Sequence, residues 1–190
     1  MSTRNKLLKK LKNISVPSVS KPDIPTFEQS LPITAVREQF VQQLKAVGAN
    51  VQLITTTQEQ VQWIEALVGQ SSYIDTLASD HSFLPLSEVE NYQWVILQGH
   101  IGVAENGAIW VDDNSLPTRA LTAICEKMII VLPQSLIVQN MHLAYEMVCK
   151  KQYGYGVFIA GPSKTADIEQ TLVKGAHGAC ELTVIIDISQ

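Results

Sequence analysis

The feature that most narrows the fold of this chain is a recurring pattern of short apolar runs separated by stretches of helical periodicity. The runs are 51–55, 73–74, 94–97, 109–111, 128–132, 157–160 and 182–186. Each is too short for a helix, and most are apolar almost throughout, as expected of strands buried on both faces. Between them Val36, Phe40, Val41 and Leu44 share one helical face, as do Val61, Ile64, Leu67 and Val68. Thr34 and Gly48 bracket the first of these helices. Thr57 with Gln60 reads as a capping box opening the second, and Gly69 stops it. A third helix is expected from about 136 to 151. Strands alternating with helices predict an α/β domain built on a mostly parallel sheet. With 190 residues, such a domain buries roughly 70% of its unfolded surface and needs no disulfide or metal to hold its core.

The first 33 residues stand apart from this pattern. Arg4, Lys6, Lys9, Lys10 and Lys12 surround Leu7, Leu8 and Leu11 in a short basic amphipathic helix. Such a helix either stays solvated or touches a membrane, an acidic partner or a neighbouring subunit of a homo-oligomer. Pro17, Pro22, Pro25 and Pro32 then forbid regular structure and predict an extended arm lying across the domain. The expected organisation is therefore a helix and arm over 1–33 and an α/β domain over 34–190.

The net charge of −4 argues against a nucleic-acid partner, since neutralising phosphates needs a basic face. No run of eighteen apolar residues and no secretory leader is present, which predicts a cytoplasmic protein without a membrane span. Cys125, Cys149 and Cys180 form no C-x-x-C pair, so neither a zinc ribbon nor an iron–sulfur cradle is encoded. They read as buried thiols. Nor is there a Rossmann G-x-G-x-x-G, and no cofactor is expected.

Chemistry concentrates in two places. The segment Gly161-Pro162-Ser163-Lys164-Thr165-Ala166-Asp167-Ile168-Glu169 ends a strand and reads as a loop feeding a helix from Thr165, with Val173-Lys174-Gly175-Ala176-His177-Gly178 beyond it. Upstream lies Gly102-Val103-Ala104-Glu105-Asn106-Gly107. Together these motifs resemble the signatures of the LUD-domain family, whose best-known members are lactate utilization protein C subunits. The resemblance covers roughly residues 90 to 188. It implies the three-layer α/β/α fold shared with ribose-phosphate isomerases, glucosamine-phosphate deaminases and coenzyme A transferases. It also implies a subunit that works with iron–sulfur partner proteins in oxidising L-lactate to pyruvate, binding a small carboxylate metabolite or assembling a complex. The chain departs from the family pattern at three positions. Asn106 replaces a threonine, Met128 a histidine, and Ala179 a proline that often follows the His-Gly pair.

Several side chains are candidates for the site. Glu105, exposed by flanking glycines, could serve as acid, base or nucleophile; the Glu-Asn-Gly triplet also resembles the segment that carries the nucleophilic glutamate of class I coenzyme A transferases, which would imply acyl transfer. Equally, Asn-Gly is a common hairpin turn, and Glu105 then merely precedes it. His177 is a candidate base, metal ligand or hydrogen-bond donor, or a histidine that fixes its own loop. Gly161, Ser163, Lys164 and Thr165 do not fit the G-x-x-x-x-G-K register of a phosphate-binding loop, yet amides at a helix start with Lys164 beside them could hold an anion. Arg119 could clamp a substrate carboxylate, or be a surface arginine opening a helix. Asp112-Asp113 could bind a divalent cation but reads first as a turn, and His100 as a weaker partner for Glu105. His81 and His142 have no supporting context. The expectation is that Glu105, His177 and the 161–165 loop meet at the carboxyl edge of the sheet.

Overall fold

A computed structural model describes residues 3–12, 19–20, 22, 25–77, 84–166, 172–174 and 178–189. In chain order the helices are α1 (Thr3–Lys12), α2 (Ile33–Ala46), α3 (Thr57–Val68), α4 (Leu86–Val89), α5 (Leu121–Ile124) and α6 (Met141–Val148). The first strands are β1 (Asn50–Ile54), β2 (Tyr73–Asp75), β3 (Trp94–Gln98), β4 (Ile101–Val103), β5 (Ala108–Asp112) and β6 (Lys127–Pro133). They are followed by β7 (Ile137–Val138), β8 (Gly156–Ile159), β9 (Lys164–Ala166), β10 (Leu172–Lys174) and β11 (Glu181–Asp187).

Five strands form an all-parallel sheet in the order β1-β11-β6-β3-β2. Its centre explains the apolar runs, because successive side chains of one strand feed two different cores. Met128, Ile130 and Leu132 of β6 join Leu182, Val184 and Ile186 of β11 in a cluster with Val36, Phe40 and Leu44 of α2. Ile129, Val131 and Ile185 point the other way, onto Ile64 and Val68 of α3. With a helix on each face the parallel sheet is the middle of a three-layer α/β/α arrangement, as the resemblance implied.

A second sheet, in the order β7-β4-β5-β8, shares the α2 face of the first. The runs at 109–111 and 157–160 belong to it and pair antiparallel, Ile109 with Ile159 and Val111 with Val157. Its outer face carries Ile101, Val103 and Trp110 and is closed by Ala144 and Val148 of α6. The arm crosses the same outer region. Phe27 stacks on the His142 ring with centroids 3.9 Å apart, and Ser30 donates from both N and Oγ to Gln139 Oε1 at 3.2 Å. His142 thus has a packing role that its sequence context did not reveal.

Local expectations are corrected in four places. The helix expected from Thr165 is absent: Lys164–Ala166 is β9, paired antiparallel with β10, so cross-strand pairing overrode a helix reading based on turn and charge signals. Asp167 and Glu169 lie outside the described residues. The helix expected from 136 begins only at Met141, because Ile137 and Val138 pair with β4 and Asn140 caps the helix by accepting from Leu143 N at 3.1 Å. α2 starts after Pro32 without a side-chain cap, and α3 is capped by Thr56 rather than Thr57. There Thr56 Oγ1 accepts from Glu59 N at 3.1 Å, and the Glu59 carboxylate accepts from Thr55 N at 2.8 Å. That backbone bond, with a second from the Thr55 hydroxyl, holds the Glu59 carboxyl below its ordinary range. Finally, only Cys125 is a buried thiol, pushed up to about 12 by desolvation, whereas Cys149 and Cys180 are exposed.

Candidate functional site

The loop after β8 borders a cleft of about 570 Å³. Its lining includes Val157, Phe158, Ile159 and Ala160 together with Met128, Ala179 and Leu182. Val157, Phe158 and Ile159 are consecutive in β8 and cannot all line one cleft through their side chains, because these alternate between faces. β8 must instead turn its edge to the cleft, and among the described strands it pairs only with β5.

The floor is Gly161, Pro162, Ser163 and Lys164. Ser163 N donates to Ala179 O at 2.8 Å, tying this loop to the segment that follows His177. Gly161 has φ +83°, and a Cβ there would stand 2.9 Å from the Val47 carbonyl oxygen, so the loop lies directly on the last turn of α2. Lys164 Nζ donates to that same carbonyl at 2.6 Å. A cation on the final carbonyls of a helix offsets the negative end of its dipole. The ammonium keeps two further N–H donors for a ligand.

Met128 and Leu182 stand one residue inside β6 and β11, so the cleft lies over the amino ends of the parallel strands. The carboxyl-edge expectation is therefore overturned. The strand-end rule concerns strands of the parallel sheet, whereas β8 belongs to the second sheet and delivers its loop to the other edge. The helix start expected at Thr165 is not there either, since Thr165 lies in β9.

The other candidates divide as follows. Glu105 is not among the residues lining the cleft. It is exposed, and its Oε2 accepts from Met141 N at 3.1 Å at the start of α6, where a carboxylate favours the helix dipole. Asn106 Oδ1 accepts from Ala108 N at 3.0 Å, closing the β4–β5 turn. Gly107, at φ +71°, would carry a Cβ only 3.0 Å from Leu44 N. The Glu105 turn and the Gly161 loop thus rest on the same last turns of α2 without sharing the cleft. His177 and Gly175 lie outside the described residues; Gly178, next in the chain, lines the cleft.

Arg119 reaches Asp113 Oδ2 at 2.7 Å and lies over the Tyr155 ring at 5.6 Å. Desolvation works against the Asp113 carboxylate, but bonds from Arg119 and from the Tyr155 and Gly154 amides outweigh it and hold its pKa low. Asp112 is buried and accepts from Trp110 Nε1 at 3.2 Å and Asn114 N at 3.1 Å. His100 Nε2 faces Ser115 Oγ at 2.9 Å and Asp112 Oδ1 at 3.6 Å. A serine and a carboxylate on one ring nitrogen do not make a relay, which needs both nitrogens. Desolvation lowers the His100 pKa; Asp112 opposes the shift and Lys151 reinforces it. Among the described residues no group of three metal-ligating side chains occurs, and no helix is long and apolar enough to cross a membrane.

A family model for the LUD domain matches residues 86–186. The chain belongs to the LUD-domain family. Lactate utilization protein C of Anoxybacillus flavithermus is 33% identical over 87 residues, 45% of this chain and 40% of that protein. Lactate utilization protein C of Geobacillus kaustophilus is 30% identical over 92 residues, 45% of this chain and 38% of that one. The matched part of the chain thus spans about two fifths of these relatives' length. A crystal structure of a DUF162 family protein from Deinococcus radiodurans superposes with a TM-score of 0.63 at 17% identity, over 83% of this chain and 99% of that one. It shares the fold.

Every cleft residue apart from Val47 lies inside the LUD match. Two of the three departures noted above, Met128 and Ala179, form part of the cleft wall, and the third, Asn106, closes the neighbouring turn. Thr122, Leu182 and Val47 line the cleft without any local sequence signal, because register and packing bring them there.

Proposed function

We propose that this LUD protein is a lactate utilization protein C-like subunit. It takes part with iron–sulfur partner proteins in the oxidation of L-lactate to pyruvate by holding a small carboxylate, or by assembling the complex, rather than by carrying electrons. The observation behind this reading is that the LUD match over residues 86–186 contains nearly the whole cleft, in a chain partly similar to proteins named lactate utilization protein C. In that cleft Lys164 supplies positive charge, Ser163 a hydroxyl, and the loop at Gly161 backbone groups. Thr165, one residue into β9, flanks them. The apolar walls of Met128, Leu182 and Ile159 lower the local dielectric and strengthen a carboxylate–ammonium contact. Three widely spaced cysteines in the sequence suit binding better than electron transfer.

In this reading His177 stays a candidate through its chain neighbour Gly178, which lines the cleft, while Arg119 remains in its ion pair with Asp113. Glu105 as an acyl-transfer nucleophile finds less support, since its carboxylate faces the start of α6. A non-catalytic metabolite-binding protein would use the same cleft without partners. The test is affinity purification of the tagged chain from its native host grown on L-lactate. Stoichiometric recovery of cysteine-rich iron–sulfur proteins, with loss of growth on L-lactate when the chain is deleted, is expected. Recovery of the chain alone, with growth unaffected by its deletion, would overturn the proposal.

A further inference from the structure

On the outer side of α3 a second groove of about 340 Å³ runs between that helix and the edge strand β2. Its apolar lining includes Val61 and Tyr73, which are 46% and 48% exposed. Among the described residues its charged lining is Glu65 and Asp75, the latter also accepting from Leu77 N at 2.8 Å, with no lysine or arginine. α1 has the opposite character. It carries Arg4, Lys6, Lys9, Lys10 and Lys12 and no acid, none of its residues is buried, and Leu7, Leu8 and Leu11 stand 58%, 45% and 61% exposed along one side. With five cations in α1 and a net charge of −4 for the whole chain, the rest of the molecule is decidedly acidic.

We propose that α1 of one copy of this chain docks in the α3–β2 groove of a second copy, leucines against Val61 and Tyr73 and lysines toward Glu65 and Asp75. This is the helix-in-groove mode, in which an apolar stripe supplies contact and flanking charges set orientation. Geometry favours the second copy over the chain's own groove. The arm is fixed by the Phe27–His142 stack on α6, which covers the outer face of the second sheet. The groove lies on α3, on the outer face of the parallel sheet, with both sheets and α2 between. Residues 13–26 fully extended reach at most about 50 Å. Half the girth of a body of this size is about 60 Å. A reciprocal exchange of helices between two copies has no such path to cover, and a two-fold axis satisfies both grooves at once.

The test uses the full-length chain in sedimentation velocity over a range of concentrations, together with cysteine cross-linking in a Cys149→Ser, Cys180→Ser background. The proposal expects a dimer that weakens with salt. Replacing Leu7, Leu8 and Leu11 by serine is expected to raise its dissociation constant about a hundredfold or more. Glu65→Lys should weaken the dimer as well, and adding Lys9→Glu should recover part of the loss. Mixing Leu8→Cys protein with Val61→Cys protein should give a linked dimer under mild oxidation. A monomer at every concentration would overturn the proposal. So would a dimer indifferent to the leucine substitutions, an intramolecular link in a Leu8→Cys, Val61→Cys double variant, or a monomer that binds phosphatidylserine vesicles through α1.

Discussion

Replacing Gly161 by alanine should be among the most damaging single-methyl changes at the surface of this protein. Two costs add. At φ +83° an L-residue is strained by about 1–2 kcal/mol. The new Cβ would also stand 2.9 Å from both the carbonyl oxygen and Cγ2 of Val47, so the loop must lift off α2. Lifting it weakens the Lys164–Val47 bond of 2.6 Å, which at an exposed site contributes at the low end of about 0.5–1.5 kcal/mol. The sum is about 1.5–2.5 kcal/mol, or a fall of roughly 3–10 °C in Tm for a domain of this size. Gly69→Ala is the control, because φ is +59° there and nothing lies within 4 Å of the added methyl. It should cost the strain alone, about 1–3 kcal/mol, since ψ −124° lies outside the left-handed helical well. Urea unfolding of both variants, at unchanged m-value, reads the two losses. A loss below about 1 kcal/mol for Gly161→Ala would refute the close seating of the loop on α2.

Glu105→Gln removes a carboxylate from the start of α6 and should cost about 0.3–1 kcal/mol in urea unfolding; if Glu105 is instead a nucleophile, turnover disappears while ligand binding and stability hold. Truncation at Leu31 removes the Phe27–His142 stack and the Ser30–Gln139 bonds, so the thermal transition should move down by a few degrees, about 1–2 kcal/mol, yet remain cooperative. His100 has its folded pKa lowered from 6.5, chiefly by desolvation, so the unfolded chain takes up the proton first as pH falls. Stability should therefore decline from about pH 6.5 downward until the folded pKa is reached, and His100→Gln should flatten that part of the urea-derived profile.

The parallel sheet was legible because its central strands are apolar on both faces: 94–97, 128–132 and 182–186 lie within one or two residues of β3, β6 and β11. The second sheet was not. β7 has two residues and β4 three, one of them Gly102, so neither carries a periodicity to read, and their pairing is set by contacts distant in sequence. The same difference runs through the site. Gly161 and Pro162 announced a sharp break after a strand, and the loop lies where that break is. Thr165 suggested a helix from local signals, while Val173 and Lys174, pairing with Thr165 and Lys164, imposed a strand. Met128 stood out only through its departure from the family pattern, although it is the register of β6 against β11 that brings it beside Leu182 in the cleft.

Methyl resonances of the protein's methionines, of which the sequence has four, offer the most direct test of where a small carboxylate binds. Met128 lines the amino-edge cleft, and Met141 donates its amide to Glu105 at the competing turn. With 13C-methyl methionine and assignment through Met128→Leu and Met141→Leu, titration with L-lactate and with pyruvate reads the two sites separately. Binding in the cleft predicts a saturable shift of the Met128 methyl with Met141 unmoved. A shift confined to Met141, or none at either position up to concentrations that saturate a millimolar site, would contradict it.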